Sequence, residues 1–461
     1  MDKEYLFPFE SINRDEKIII YGAGKVCRSF LHQIEMSSYC SVVAIVDNQS
    51  DIIESTYDIK PIDSVVYLKY DKILIAVNNI QQAEAIGANL VKIYGIDDDK
   101  IIFGSGRKLE SRDSLIWSRP LSDSKIGIAF IMSGGFGDCI VGKKFVSSFL
   151  ELVPADICHV DIYCSIEMEF VSTLFSDIKI NSVSDQVPTH AELARYDIVI
   201  NPTNIIRFIR FNYGRVHGGY PKFADSVRKL AMFWDKYLAF NNEYETCIHF
   251  ARCKLMGYNA YTAYNMGGVI RIIDTFVNVP LSKSFIEKYS CLNLPQHYIT
   301  INREWGDSKN ITKVPAKIWP TKHYERFIEL FHSVFPDIKI VQLGQGHSGR
   351  LRGVDKYILG EHIEIVKFIL RDAIFHLDSE GGLVHLATQL GTKCVVLFGP
   401  TPVHYFGYKQ NLNIVSDVCK NCYYLDNDLR KCIRDLEHPE CMESILPDRV
   451  IEYVKDLDEM K

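Results

Sequence analysis

The chain has 461 residues, 47% apolar and 24% charged, ordinary values for globular protein; at roughly 150 residues per domain the expectation is about three domains. Its 52 basic and 58 acidic residues give a net charge of -6, which argues against a nucleic-acid binder held by bulk charge. No apolar run approaches the roughly 18 residues of a membrane span, and the first ten residues contain no apolar leader, so the 13 cysteines read as free thiols or metal ligands in a reducing cytoplasm.

Three α/β blocks follow one another. Residues 17–21, 41–46 and 72–77 read as strands, with helices through Ile34 and over 81–94. Strands alternating with helices imply a parallel sheet. Residues 107–123 are polar and unperiodic and read as a linker. A second block opens with strand 125–132 and helix 141–150, with further strands at 159–164 and 197–201. The stretch 208–262 is rich in Tyr and Asn and reads as a helical insertion or a lid. The third block has strands at 297–302, 338–343, 373–377 and 393–398, with helices over 321–334, 361–371 and 383–390. The tail reads as an amphipathic helix. The expected domains are 1–108, 124–290 and 291–447, with 109–123 as linker and 448–461 as a terminal helix.

Three glycine turns stand between a strand and a helix. In the first, Gly22 and Gly24 are followed by Asp47 at the end of the next strand. This is a Rossmann layout, in which glycines let backbone approach a pyrophosphate. Cys27 holds the third glycine position, and a Rossmann-like fold with an empty pocket is the alternative. The block resembles small nucleotide-binding domains fused to sugar-modifying and methyl-transferring enzymes.

The second turn, Ser133-Gly134-Gly135-Phe136-Gly137-Asp138, ends in an aspartate beside a helix start. Its glycines leave room for a substrate, and Asp138 is placed to act as a general base. Taken alone, a helix-capping role is the commoner one for such an aspartate.

The third turn, Asp378-Ser379-Glu380-Gly381-Gly382-Leu383-Val384-His385, follows a strand and opens a helix, where exposed N–H groups suit an anion. Upstream, Lys317-Ile318-Trp319-Pro320 supplies a cation and an aromatic. Each has an ordinary reading too: Lys317 as a surface lysine, His385 as a core histidine.

Together the Gly-Gly-Phe-Gly-Asp turn, the Lys-x-Trp-Pro element, Gly-Gly-x-x-His-Leu-Ala and Leu-Phe-Gly-Pro-Thr-Pro resemble glycosyltransferase family 9, the bacterial heptosyltransferases, over residues 125–455. The resemblance implies a GT-B fold, two Rossmann-like domains facing across a cleft, here preceded by a third, smaller Rossmann-like domain. It implies that Asp138 is the base and that Lys317 contacts donor phosphate. It also implies that Asn302, Asp378, Ser379, Glu380, Gly381, Gly382, His385 and Thr401 line the donor site. Two departures stand out. Glu380-Gly381-Gly382 replaces the usual Asp-Thr-Gly, which leaves the sugar contact open between Asp378 and Glu380. The long polar stretch 302–316 is closer to the heptosyltransferases that modify autotransporter adhesins.

Cys419-x-x-Cys422 with Cys432 and Cys441 forms a candidate tetrathiolate set for structural Zn or Fe, with four free thiols as the alternative. The adhesin-modifying group binds iron through such a set.

The expected protein is an inverting glycosyltransferase needing no catalytic metal. It would move a sugar, heptose from ADP-heptose by resemblance, or that of another nucleotide sugar, to a hydroxyl of a lipopolysaccharide-like glycan or an adhesin-like protein. It is expected in the cytoplasm, with room for peripheral contact at the inner face of the membrane and for a homo-oligomer. Two rivals remain open. One is a nucleotide-sugar oxidoreductase built on Gly22, Gly24 and Asp47, against which 125–455 offers no evident Tyr-x-x-x-Lys pair. The other is a non-catalytic assembly subunit.

Overall fold

The computed structural model describes residues 5, 7–9, 11–48, 59–104, 125–154, 158–186, 188–238, 245–303, 316–419, 422, 423, 425, 432–457 and 460. The expected linker 109–123, and most of the polar stretch before Lys317, lie outside them. Contacts divide the chain into two compact units. One is Met1–Ile128 with Val187–Val199 and Ile209–Asn212; the other is Ala129–Gln186 with Ile200–Phe208 and Tyr213–Lys461.

The first sheet comprises β1 (Lys17–Tyr21), β2 (Ser41–Val46), β3 (Ile59–Lys60), β4 (Lys72–Ile75) and β5 (Ile101–Phe103). Its order is β3-β2-β1-β4-β5 and every pair is parallel. Successive side chains of β1 enter opposite cores. Ile18 and Ile20 pack with Phe30 and Ile34 of the helix Lys25–Ser37, while Ile19 and Tyr21 pack with Ala83 and Leu90 of the helix Ile80–Tyr94. A sheet covered on both faces needs a continuous apolar run, which is why 17–21 carries no polar alternation.

The second sheet comprises β6 (Ile126–Met132), β7 (Cys158–Cys164), β8 (Ser182–Ser184), β9 (Ile198–Asn201) and β10 (Arg207–Phe211), in the order β10-β9-β6-β7-β8. After β10, the aromatic stretch is mostly helical: Tyr213–Gly219, Pro221–Leu238 and Glu245–Met256. Trp234 is fully buried on the apolar stripe of the longest of these.

The third sheet comprises β11 (Tyr298–Asn302), β12 (Lys339–Gly344), β13 (Lys356–Leu359), β14 (Phe375–Ser379), β15 (Lys393–Phe398) and β16 (Leu412–Val415). It is wholly parallel, in the order β13-β12-β11-β14-β15-β16. This is a doubly wound arrangement whose strand order reverses between β11 and β14. Ile299 and Ile301 of β11 share a core with Phe327 and Phe331 of the helix Thr321–Val334 and with Val450 and Val454 of the tail helix Pro447–Lys455. The expected α/β class, with two Rossmann-like sheets preceded by a third, is the observed one.

Candidate active site

In a doubly wound sheet, ligands bind beyond the carboxyl ends of the strands where the order reverses. Here those ends are Asn302 on β11 and Asp378-Ser379 on β14, and both line a cavity of about 690 Å³. The opposite wall carries the turn after β6, from Gly134 to Asp138. The cavity thus lies between elements of the second and third sheets, and all its lining belongs to the second compact unit.

The turn after β6 is built to bring two polar side chains together. Ser133 is anchored at the carboxyl end of β9: Asn201 Nδ2 donates to its hydroxyl at 3.0 Å, and the Thr203 hydroxyl donates to its carbonyl at 2.6 Å. Gly134 has φ +117°, a region side-chain-bearing residues avoid. A Cβ there would also sit 2.7 Å from Cγ of Asp138. The helix Phe136–Leu150 follows, with Asp138 as its third residue. Gly135 N–H donates to Asp138 Oδ2 at 2.9 Å. Asp138 therefore caps the helix from inside it rather than as the N-cap residue, which is Gly135. Burial pushes its carboxyl above the usual carboxylate range. The Gly135 bond and His385 oppose that rise, Glu380 adds to it, and Lys317 opposes it.

His385 comes from the helix Gly382–Gln389, and a Cβ on Gly137 would lie 2.6 Å from its ring. Gly382 lies against Phe136 in the same close approach. Two helix starts thus meet across the cavity, with Asp138 and His385 between them.

Glu380 and Lys317 complete the cluster. The Lys317 ammonium stands 3.3 Å from Glu380 Oε2, with both side chains more than nine-tenths buried, and 5.2 Å from the centre of the Tyr423 ring. Burial works against both charges. Lys317 nevertheless holds the Glu380 carboxyl down at about 2, aided by His385, and Glu380 holds the Lys317 ammonium above its ordinary value. His385 Nε2 lies 3.8 Å from Glu380 Oε1. Asp378 has other partners: it accepts from Asn302 Nδ2 at 2.9 Å and lies 3.4 Å from His376 Nε2. Burial raises its carboxyl.

Of the residues singled out in the sequence, Gly134, Gly135, Gly137, Asp138, Asn302, Lys317, Asp378, Ser379, Glu380, Gly381, Gly382 and His385 line this one cavity. Thr401 does not; it is buried. Sequence reading missed Tyr423, Tyr264 and Tyr405, and the turn Gly344-Gln345-Gly346 after β12. The glycine pair after a strand was a legible signal, whereas the tyrosines have no distinctive spacing.

The first-domain turn is separate. Gly22 and Gly24 do stand just before the helix Lys25–Ser37, with Gly24 as its N-cap, but Ala23 N–H donates to Asp47 Oδ2 at 2.8 Å, so the acidic side chain binds the glycine turn itself.

Cys419, Cys422, Cys432 and Cys441 are neighbours. Burial first, and then the other thiols of the set, push Cys422 up to about 11 and Cys441 up to about 12. Among the described residues, however, no three Cys, His, Asp or Glu side chains are arranged as a metal site. Likewise, no described helix is long and apolar enough to cross a membrane.

Residues 14–102 match the family model described as C2185-like, N-terminal. No curated protein matches the chain. Among solved structures, the chain is similar to a glycosyl transferase family 9 protein from Veillonella parvula: 15% identity, 73% of this chain and 98% of that one, TM-score 0.44. It is also similar to the dodecameric iron-containing heptosyltransferase TibC in complex with ADP-D-beta-D-heptose: 13% identity, 73% and 76%, TM-score 0.46. A third is the ADP-heptose lps heptosyltransferase II of E. coli: 12% identity, 72% and 98%, TM-score 0.44.

Proposed function

We propose that the protein is an inverting glycosyltransferase that uses a nucleotide-sugar donor. The observation that carries this reading is Asp138: a carboxylate of raised pKa on one wall of a cavity whose other wall holds Lys317, Glu380 and His385. A raised pKa makes a carboxylate a better proton acceptor near neutral pH. In this reading Asp138 takes the proton of an acceptor hydroxyl as the oxygen attacks the anomeric carbon. The nucleoside diphosphate leaves with growing negative charge. Lys317 and the backbone N–H groups at Gly381 and Gly382 stabilise that charge. The carboxyl ends of β11 and β14 hold the donor, with Asn302, Asp378 and Ser379 in reach.

ADP-heptose is the proposed donor, and a lipopolysaccharide-like glycan or an adhesin-like protein the proposed acceptor; the sequence motifs support both. The proposed halves are 124–290 on the acceptor side and 291–447 on the donor side, with 1–108 as an accessory domain. The four cysteines are proposed to hold a structural iron or zinc. The donor chemistry of the thiols supports this, and four thiolates would leave no open position for reaction. The test is calorimetry with ADP, UDP and GDP followed by NMR of the product's anomeric configuration. The reading expects ADP to bind best and the configuration to invert; retention would remove Asp138 from the role of base.

A further inference from the structure

A line of buried polar groups runs from residues 275–277 to the active-site histidine. Val277 N–H donates to Gln389 Oε1 at 2.7 Å, and Gln389 Nε2 donates to the Thr275 carbonyl at 2.8 Å. A backbone N–H can only donate and a carbonyl can only accept, so the orientation of this amide is fixed. The same Nε2 donates to the Tyr261 hydroxyl at 3.1 Å. The Tyr261 and Tyr408 hydroxyls are 2.6 Å apart, and the Tyr408 hydroxyl is 2.6 Å from His385 Nδ1. All four side chains are more than nine-tenths buried.

Each hydroxyl has one proton to place. Tyr261 receives from Gln389, so its own proton goes to Tyr408. Tyr408 receives that one, so its own proton goes to His385 Nδ1. In the reverse order, with Nδ1–H donating to Tyr408 and Tyr408 to Tyr261, the Tyr261 proton would face only the donor groups of Gln389. A buried donor left unmade is disfavoured.

We infer that Gln389, acting through Tyr261 and Tyr408, is a positioning residue that holds His385 as the Nε2–H tautomer. The imidazole then presents an N–H toward Glu380 Oε1, 3.8 Å away, and toward the cavity it lines. The functional consequence rests on the glycosyl-transfer reading: an N–H there meets developing negative charge, whereas the other tautomer would offer it a lone pair. The tautomer itself does not depend on that reading.

The test is the 15N spectrum of the full-length protein labelled at histidine, with His385 assigned by its loss in His385→Gln. The expected result is an acceptor-type shift at Nδ1 and a protonated-type shift at Nε2. Gln389→Glu replaces the donor with an acceptor and should reverse the line, moving the proton to Nδ1. Should that variant not fold, Tyr261→Phe cuts the line in its middle; it should give a mixture of tautomers and lower turnover by the fraction of His385 that carries its proton on Nδ1, about twofold for an even mixture, with donor KM little changed. A protonated Nδ1 in the wild type, or an unchanged His385 spectrum in a folded Tyr261→Phe, would overturn the relay. A wild type with the expected tautomer that transfers no sugar would instead count against the proposed function alone.

Discussion

Lys317 Nζ lies 3.3 Å from Glu380 Oε2, with both side chains buried in the wall of the same cavity. Removing one member of such a pair leaves the other charge uncompensated. Lys317→Met should therefore destabilise the fold by about 3–5 kcal/mol at pH 7. Glu380 has a lowered folded pKa, so its stabilisation is fully present above about 4.5 and is lost as pH falls toward about 2. The deficit of Lys317→Met should shrink over that window, because the wild type loses what the variant already lacks. Urea midpoints at several pH values check this; a constant deficit would mean that the two groups are not coupled.

Lys317 is also the proposed phosphate contact. Lys317→Met should weaken binding of a nucleoside diphosphate more than that of the monophosphate or the nucleoside. Calorimetry giving equal losses for all three would move Lys317 away from the distal phosphate.

Gly137→Ala places a methyl 2.6 Å from the His385 ring. Overpacking of this kind costs about 1–3 kcal/mol, and here the ring is what must move. Turnover should fall more than stability does. Thermal melts beside steady-state kinetics separate the two, and an active, fully stable variant would show that the ring has room.

The pH profile should report Asp138. A base works when deprotonated, and burial raises this carboxyl, so the acid limb of kcat/KM should lie above the ordinary carboxylate range. Activity should fall as pH drops through that raised value. A limb at the ordinary position would mean that another group takes the proton.

Elemental analysis addresses the four cysteines. After expression with both iron and zinc supplied, about one equivalent of one metal is expected, and Cys419→Ser with Cys422→Ser should release it and lower the melting temperature. Less than about a tenth of an equivalent in the wild type leaves four free thiols.

The strands that were legible in the sequence are those buried on both faces. β1, β6, β11 and β15 are long apolar runs followed by glycine or polar turns, a pattern fixed by coverage on two sides. β13 and β16 each bury only one of their four residues, so no apolar run marks them, and only their pairing with β12 and β15 makes them strands. The site turns were legible because close approach forces glycine: Gly134 and Gly137 are small for the sake of Asp138 and His385. Tyr261, Tyr408 and Gln389 were not, because their partners lie 23 to 147 positions away along the chain. Such contacts leave no local spacing to read. Asp138 also shows how a local rule misleads. The capping bond that sequence logic offered as an alternative to a base is present, on the same carboxylate that faces the cavity.

The proposed reaction requires that the wild-type chain transfer a sugar and that Asp138 take the proton. The most direct measurement is mass spectrometry of products after incubating wild type and Asp138→Asn with ADP-heptose, other nucleotide sugars and a panel of glycan and protein acceptors. The amide keeps the acceptor for Gly135 N–H but cannot take the hydroxyl proton. An acceptor should gain one sugar mass with the wild type, at a rate about 100- to 10,000-fold lower with the folded variant. Transfer by Asp138→Asn at more than about a tenth of the wild-type rate would contradict it.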